Sequence, residues 1–270
     1  MLTTDKYWAE RTQRTQKALT DKSIAQTERK LRKYYRTTIK QVIADFEATY
    51  DKLLATVGEG KQPTPADLYK LDKYWEMQGQ LKVQLEKLGD KEVKTLSNSF
   101  VKHYQSIYDS IAFKGSQAFH TVDEKMAYQM INQIWCADGK SWSSRIWDSK
   151  QRLSATLNEE LVKCVITGKK TSDLNKMLME RFNVDYYCAK RLTVTEMAHI
   201  QTQASAQKYQ DYGLKYYEFL ADTDSRTCKG GTHSCASLDG KKFLFAEMVV
   251  GKNAPPMHPN CRCSILPVIE

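Results

Sequence analysis

The stretch from Thr4 to Val57 contains neither glycine nor proline. Within it Ile24, Leu31, Tyr35, Val42, Phe46 and Leu53 recur at the spacing that gathers them on one helical face. A segment that long without a breaker has few alternatives to one or two extended amphipathic helices, and the rest of the chain must be arranged around them. "GEGKQPTP" then interrupts the pattern, and "TPADLYKLDKYW" restarts a helix with Thr64 as N-cap and Pro65 at the first helical position. A helical hairpin is the expected result, its second arm carrying Leu68, Leu71, Trp75, Leu81, Leu85 and Leu88. "LGDKEV" reads as a joint before a further helical run through Phe100, Tyr104, Ile107 and Tyr108.

The middle of the chain holds Trp135, Trp142 and Trp147, expected to anchor a core, and leads into a helix that stops near Gly168. "TSDLNKMLMERF" opens a new helix capped by Thr171 or Ser172, and a long helix runs from a cap near Asp185 to a stop at Gly213. Beyond Gly213, "LKYYEFLAD", "GKKFLF" and "CRCSILPVIE" have the aromatic, turn-bounded character of short strands. The expected fold class is therefore mainly α with α+β character. An extended basic helical bundle or hairpin is expected over 1–110, a central helical domain over 111–213 and a small β-rich module stapled by Cys and His over 214–270.

With 41% hydrophobic residues the chain can bury a core. Its apolar runs are far shorter than the roughly 20 residues of a membrane span. The first residues lack the basic and apolar regions of a signal peptide, so the chain is expected to stay in the compartment that makes it. In a reducing cytoplasm, seven cysteines, an odd number, point to metal binding or burial before structural disulfides.

The net charge is +9, and "RKLRKYYRTTIK" carries Arg29, Lys30, Arg32, Lys33, Arg36 and Lys40 with no acid among them. Such a face suits a polyanion such as double-stranded DNA, and equally a solvated helix surface. Tyr34 and Tyr35 within it can stack on bases or pack inward, and helical spacing favours packing.

Four of the seven cysteines and two of the five histidines fall between Cys228 and Cys263. Three short strands bury little, and zinc is an economical staple for such a tail. Cys228 and Cys235 offer one pair of ligands, with His233 able to replace either, and His258, Cys261 and Cys263 offer the other. The competing readings are small buried thiols with His258 capping a turn, or a disulfide. Cys136, Cys164 and Cys188 read as packing residues. For catalysis the nearby acids, Asp222, Asp224, Asp239 and Glu247, show no recognisable pairing, and H-E-x-x-H, deaminase and phosphate-loop signatures are missing from the sequence. Asp224 and Arg226 are expected to pair or to fix the turn before Cys228, Asp239-Gly240 to form a tight turn, and Arg262 to neutralise thiolate charge or bond backbone.

The tail closely resembles the C-terminal signature of the MuF-type, or head-morphogenesis, minor head proteins of tailed bacteriophages. The elements are Asp224, Arg226, Thr227 and Cys228, then Leu238, Asp239, Gly240 and Phe243, then Pro255, Pro256, His258, Pro259, Asn260, Cys261, Arg262 and Cys263. The likeness reaches upstream through "WSSRIWDSKQRLSATL" to Thr195 and Glu196, covering roughly 110–270. It departs from the family at Val194, where an arginine often precedes the Thr-Glu pair, and at the first cysteine pair, often C-x-x-C and here separated by six residues.

The resemblance implies a virion protein inside the capsid near the portal, passing through the host cytoplasm during assembly. It acts in head assembly, DNA packaging or DNA ejection, with the portal protein, major capsid or scaffold proteins and double-stranded DNA as partners. It implies no enzyme, and with the chain closing seven residues after Cys263 no toxin domain is expected. The reading from a different class is a zinc-dependent, nuclease-like enzyme.

Overall fold

The structure, a computed structural model, describes residues 2–57, 63–112, 122–222, 224–231 and 234–268, with side chains from residue 10 onward. Helix α1 spans Leu2–Val57 without a break, as its freedom from glycine and proline requires. Thr64 caps the short α2 (Pro65–Leu68) in a reciprocal capping box with Asp67, and the chain resumes as α3 (Asp72–Ser110). Then follow α4 (Glu124–Ile131), α5 (Trp142–Ile166) and α6 (Thr171–Asp211). The tail adds β1 (Tyr216–Leu220), α7 (Cys235–Leu238), β2 (Lys242–Leu244), a 3-10 turn at Phe245–Glu247 and β3 (Ser264–Val268). The fold is mainly α with a small antiparallel sheet, as expected.

Two boundaries read from the sequence are corrected. The "LGDKEV" joint does not exist, because Gly89 sits inside the continuous α3 and serves packing. A β-carbon there would stand 2.6 Å from the Trp147 ring, so the position admits the indole only while it lacks a side chain. Asp185 caps nothing. It lies mid-way along α6, which absorbs the two helices expected between Thr171 and Gly213, and its carboxylate is buried among polar partners from other helices. The stops at Gly168 (φ +60°) and Gly213 (φ +76°) stand where read, each in the left-handed conformation that ends a helix.

The chain divides into two compact units, one of residues 29–95 and 143–189, the other of 1–28, 96–142 and 190–270. In the first, α1 runs antiparallel to α3, with Asp45 reached by Gln84, and antiparallel to α6, with Asp51 reached by Thr171 and Glu47 by Asn175. Their shared core includes Val42, Phe46, Tyr50, Leu81, Leu85, Leu157, Leu161, Leu174 and Phe182.

Within that core lies a buried ionic group. Lys150 (4% exposed) reaches Glu92 (1%) at 2.7 Å and also bonds Asp185 (5%), whose other oxygen accepts from Ser149 at 2.6 Å. The Tyr35 hydroxyl donates to Asp185 at 2.5 Å and accepts from Lys150 at 2.6 Å. Burial raises the Glu92 carboxyl above its ordinary range, against the pull of Lys150. Four helices thus converge on one point where misregister would strand a charge.

In the other unit the sheet has the order β2-β1-β3, both pairings antiparallel. Strand β1 alternates, turning Tyr217 and Phe219 inward. Tyr217 packs with Tyr209, Phe245 and Ile265, whereas Phe219 packs with Cys235, Cys261 and Cys263. Pro267 is tolerated because β3 is an edge strand.

Candidate metal centre and basic face

The cysteine module is built by three capped turns. After β1, Asp224 fixes a turn by accepting the Arg226 amide at 2.8 Å, which delivers Cys228. Ser234 and Ser237 form a capping box at the start of α7, which places Cys235 on its first residue, and the Cys235 amide donates to Cys228 Sγ at 3.1 Å. The last turn is closed by the Cys261 amide donating to the His258 carbonyl at 3.1 Å, with Asn260 at φ +62°. Asparagine is among the few residues with a side chain that tolerate this left-handed conformation. The Thr195 hydroxyl on α6 accepts the Asn260 amide at 3.1 Å and so ties the turn to that helix.

These turns bring five described donors together. The ligand atoms of Cys228, Cys235 and His258 lie within 4.8 Å of one another, and so do those of Cys235, Cys261 and Cys263. Cys235 is common to both sets, its sulfur 3.3 Å from that of Cys228 and 4.0 Å from that of Cys261. Ligands about 2.3 Å from a tetrahedral zinc sit about 3.8 Å apart, so these separations bracket the required value. His233 lies outside the described residues. All seven cysteines are free thiols, so the disulfide reading is not what the fold contains.

His258 carries the clearest sign of a metal site. Its Nδ1 is hydrogen-bonded to the Pro259 carbonyl at 2.9 Å, while its buried Nε2 has no partner. A ring that donates from Nδ1 presents a lone pair from Nε2, the form in which histidine binds metals. The thiols are polarised against one another. Cys261 is lowered to about 5, chiefly by a hydrogen bond from the Cys263 side chain. Cys263 is correspondingly pushed far up, and Cys235 rises to about 12 through burial beside the Cys261 sulfur.

Around the centre the charged groups are engaged in structure. Asp239 accepts the Ala221 amide at 2.9 Å, and Lys17 pairs with Asp222 at 2.8 Å. Arg226 and Arg262 flank Asp224 at 3.8 and 3.9 Å, so Arg262 answers a carboxylate, where thiolate or backbone had been expected. Asp224 and Arg226 both pair and shape the turn, as read from the sequence.

The Thr-Glu pair on α6 has two separate tasks. While Thr195 holds the Asn260 turn, Glu196 accepts the Trp135 indole N–H at 3.1 Å, and Trp135 stacks on His199 at 4.6 Å. Sequence reasoning saw the pair but not the partners. Val194 lines a cavity of about 30 Å³ beside Cys261 and Cys263.

Arg29, Lys30, Arg32, Lys33, Arg36 and Lys40 are all exposed on α1. At 100° per residue they cover the outward side of the helix, opposite Leu31, Tyr35 and Val42. Arg32 lies over the Tyr186 ring at 5.8 Å, and the other five have no ion-pair partner among the described residues. Tyr35 is buried and Tyr34 half-buried, with Lys91 over its ring, so both pack.

Residues 155–266 match the family model described as Phage Mu protein F like protein, a segment that contains Cys228, Cys235, His258, Cys261 and Cys263. Over this segment the chain is similar to that family. No curated protein and no solved structure matches the chain significantly. No helix among the described residues is long and apolar enough to cross a membrane.

Proposed function

We propose that this chain is a minor head protein seated inside the capsid near the portal, acting non-catalytically in head assembly, DNA packaging or DNA ejection. The observation that carries the reading is the family match, because the matched segment is the one that folds into the Cys/His module and its α6 support. In this reading zinc bound by the Cys/His groups staples a docking module for portal, major capsid or scaffold protein. Five donors from three turns converge there while the surrounding sheet has only three short strands. In this reading the exposed cations of α1 lie against the packaged genome, where positive charge gains from phosphates.

Non-catalytic action is supported by the local acids. Of the four nearby acids, Asp222, Asp224 and Asp239 are each engaged by an ion pair or a backbone amide, and Glu247 is exposed on the 3-10 turn. The test is co-purification of the full chain with portal protein, set against incubation with duplex DNA and zinc or magnesium. Portal binding with intact DNA supports the proposal. DNA cleavage that disappears on His258→Ala, the fold being retained, would replace it with the nuclease reading.

A further inference from the structure

The unit of residues 29–95 and 143–189 holds an amine, a carboxyl group and a second carboxylate in contact inside its core, and the role proposed above makes no use of them. Lys150 on α5, Asp185 on α6 and Glu92 on α3 are none of them more than 5% exposed. We infer that Lys150 and Asp185 condense into an intramolecular amide, with Glu92 as the base, so that α5 and α6 become covalently joined.

The geometry is that of a nucleophile against its target. Lys150 Nζ bonds Asp185 Oδ2 directly and stands 2.7 Å from the Glu92 carboxylate. Attack on a carboxyl carbon needs the reacting atoms about 3–3.5 Å apart, the range at which a nitrogen hydrogen-bonded to one carboxyl oxygen finds the carbon that bears it. The carboxyl group is also held by other donors. Ser149 donates to Oδ1 at 2.6 Å and Tyr35 to Oδ2 at 2.5 Å, so both oxygens have a partner where negative charge develops during attack. The surroundings are apolar: Leu88, Leu153, Phe182 and Ala189, each about one helical turn from a member of the group, belong to the same buried core. There a charged pair carries a desolvation cost that a neutral amide does not. Groups held in such contact react at effective concentrations on the order of 10⁵–10⁸ M, which favours a condensation that a dilute amine and acid do not complete in water.

The Lys150 ammonium first passes one proton along its hydrogen bond to Oδ2, giving the neutral amine and the neutral acid. The nitrogen lone pair then attacks Cγ while a second proton of Nζ moves to the Glu92 carboxylate. The Cγ–Oδ2 bond breaks with its electron pair, and the departing hydroxide takes that proton from Glu92 and leaves as water. Oδ1, held by Ser149, remains as the amide oxygen, Nζ keeps its last hydrogen, and Glu92 ends as it began. No oxidant, reductant or further reactant is needed. Burial raises the Glu92 carboxyl, which strengthens its ionised form as a base. The reaction occurs once in each chain without turnover, so it is compatible with a non-catalytic role in the head. The ionic group of the fold is its unreacted state.

The test is mass spectrometry of the full chain, purified folded and held at neutral pH. The unmutated protein is expected to be one water lighter than its sequence. Its tryptic digest should contain a branched peptide in which Lys150 is joined to Asp185 and the bond after Lys150 is uncut. Glu92→Gln should show the full sequence mass and separate peptides, as should Lys150→Arg, which keeps the cation but cannot form this amide.

Unlinked peptides from the folded, unmutated protein would overturn the inference and leave a permanent ion pair. So would a water loss that maps to Asp138-Gly139 or Asp239-Gly240, where an aspartate can close on the amide that follows it. A linked peptide that survives Glu92→Gln would contradict the assignment of Glu92 as the base. The first measurement uses no variant, so poor folding of either substitution leaves it decisive.

Discussion

The Thr195 hydroxyl accepts the Asn260 amide at 3.1 Å across 65 residues of sequence. One end of this bond sits on α6, which needs no metal to form, and the other on a left-handed turn that presents His258 and Cys261. The helix therefore holds in place the turn that carries two of the candidate ligands.

Thr195→Val keeps the shape of the side chain and removes the acceptor. The amide it leaves behind costs about 1–3 kcal/mol. Zinc affinity measured by competition with a chromophoric chelator should fall, and Thr195→Ser should restore most of it.

The ionic group of Lys150, Glu92, Asp185 and Tyr35 makes unit stability depend on intact pairing. Lys150→Met leaves Asp185 buried without its cation, at a cost of roughly 3–5 kcal/mol in urea unfolding. Exposed Lys163→Met, which breaks only a surface pair with Glu160, should stay within about 0.5 kcal/mol. Equal effects at the two sites would show that the buried group is not a determinant.

Two kinds of buried group give pH effects of opposite sign. Glu92 has its folded value raised by burial, so the folded state holds its proton more tightly. Its stabilisation is present in acid and is lost as pH rises from the ordinary value of 4.5 through the folded one. Glu92→Gln should flatten that decline.

His103 and His199 are lowered to about 4 and about 3 by burial. Above the ordinary value of 6.5 they are neutral whether folded or not, and below it the unfolded chain alone takes up protons. Stability is therefore lost as pH falls from 6.5 towards 4, by roughly 3 kcal/mol for His103. Urea unfolding at pH 7 and pH 5 should show the loss, and His103→Gln should reduce it.

The front of α1 docks differently from its continuation. In residues 10–28 each buried side chain is polar: Gln16, Thr20 and Thr27. Gln16 bonds Ser205 at 3.0 Å and Thr20 bonds Gln201 at 2.6 Å, so this seam is held by side-chain hydrogen bonds. From Leu31 to Leu53 the buried face is largely apolar. Few apolar contacts mean a low local opening energy, so amides of 10–28 should exchange with solvent at least about 10-fold faster than those of 31–53. Uniform protection would show that the polar seam holds as firmly as the core.

How much of this was legible follows from the range of the signals. Helix α1, the Thr64–Pro65 restart and the stops at Gly168 and Gly213 are local, each encoded within a few neighbours. The cysteine cluster was visible as composition because its ligands are crowded into one short tail. What failed was non-local. Gly89 looks like a breaker until Trp147 is placed against it, and Asp185 looks like a cap until Tyr35 and Lys150 reach it. No spacing rule links residues 35, 92, 150 and 185.

The most direct test of the central claim, that the Cys and His side chains of the tail meet on one metal ion, is the zinc content of the reduced, purified full chain. The account predicts one tightly held zinc per chain. A protein that binds none, even after refolding in excess zinc, would contradict it.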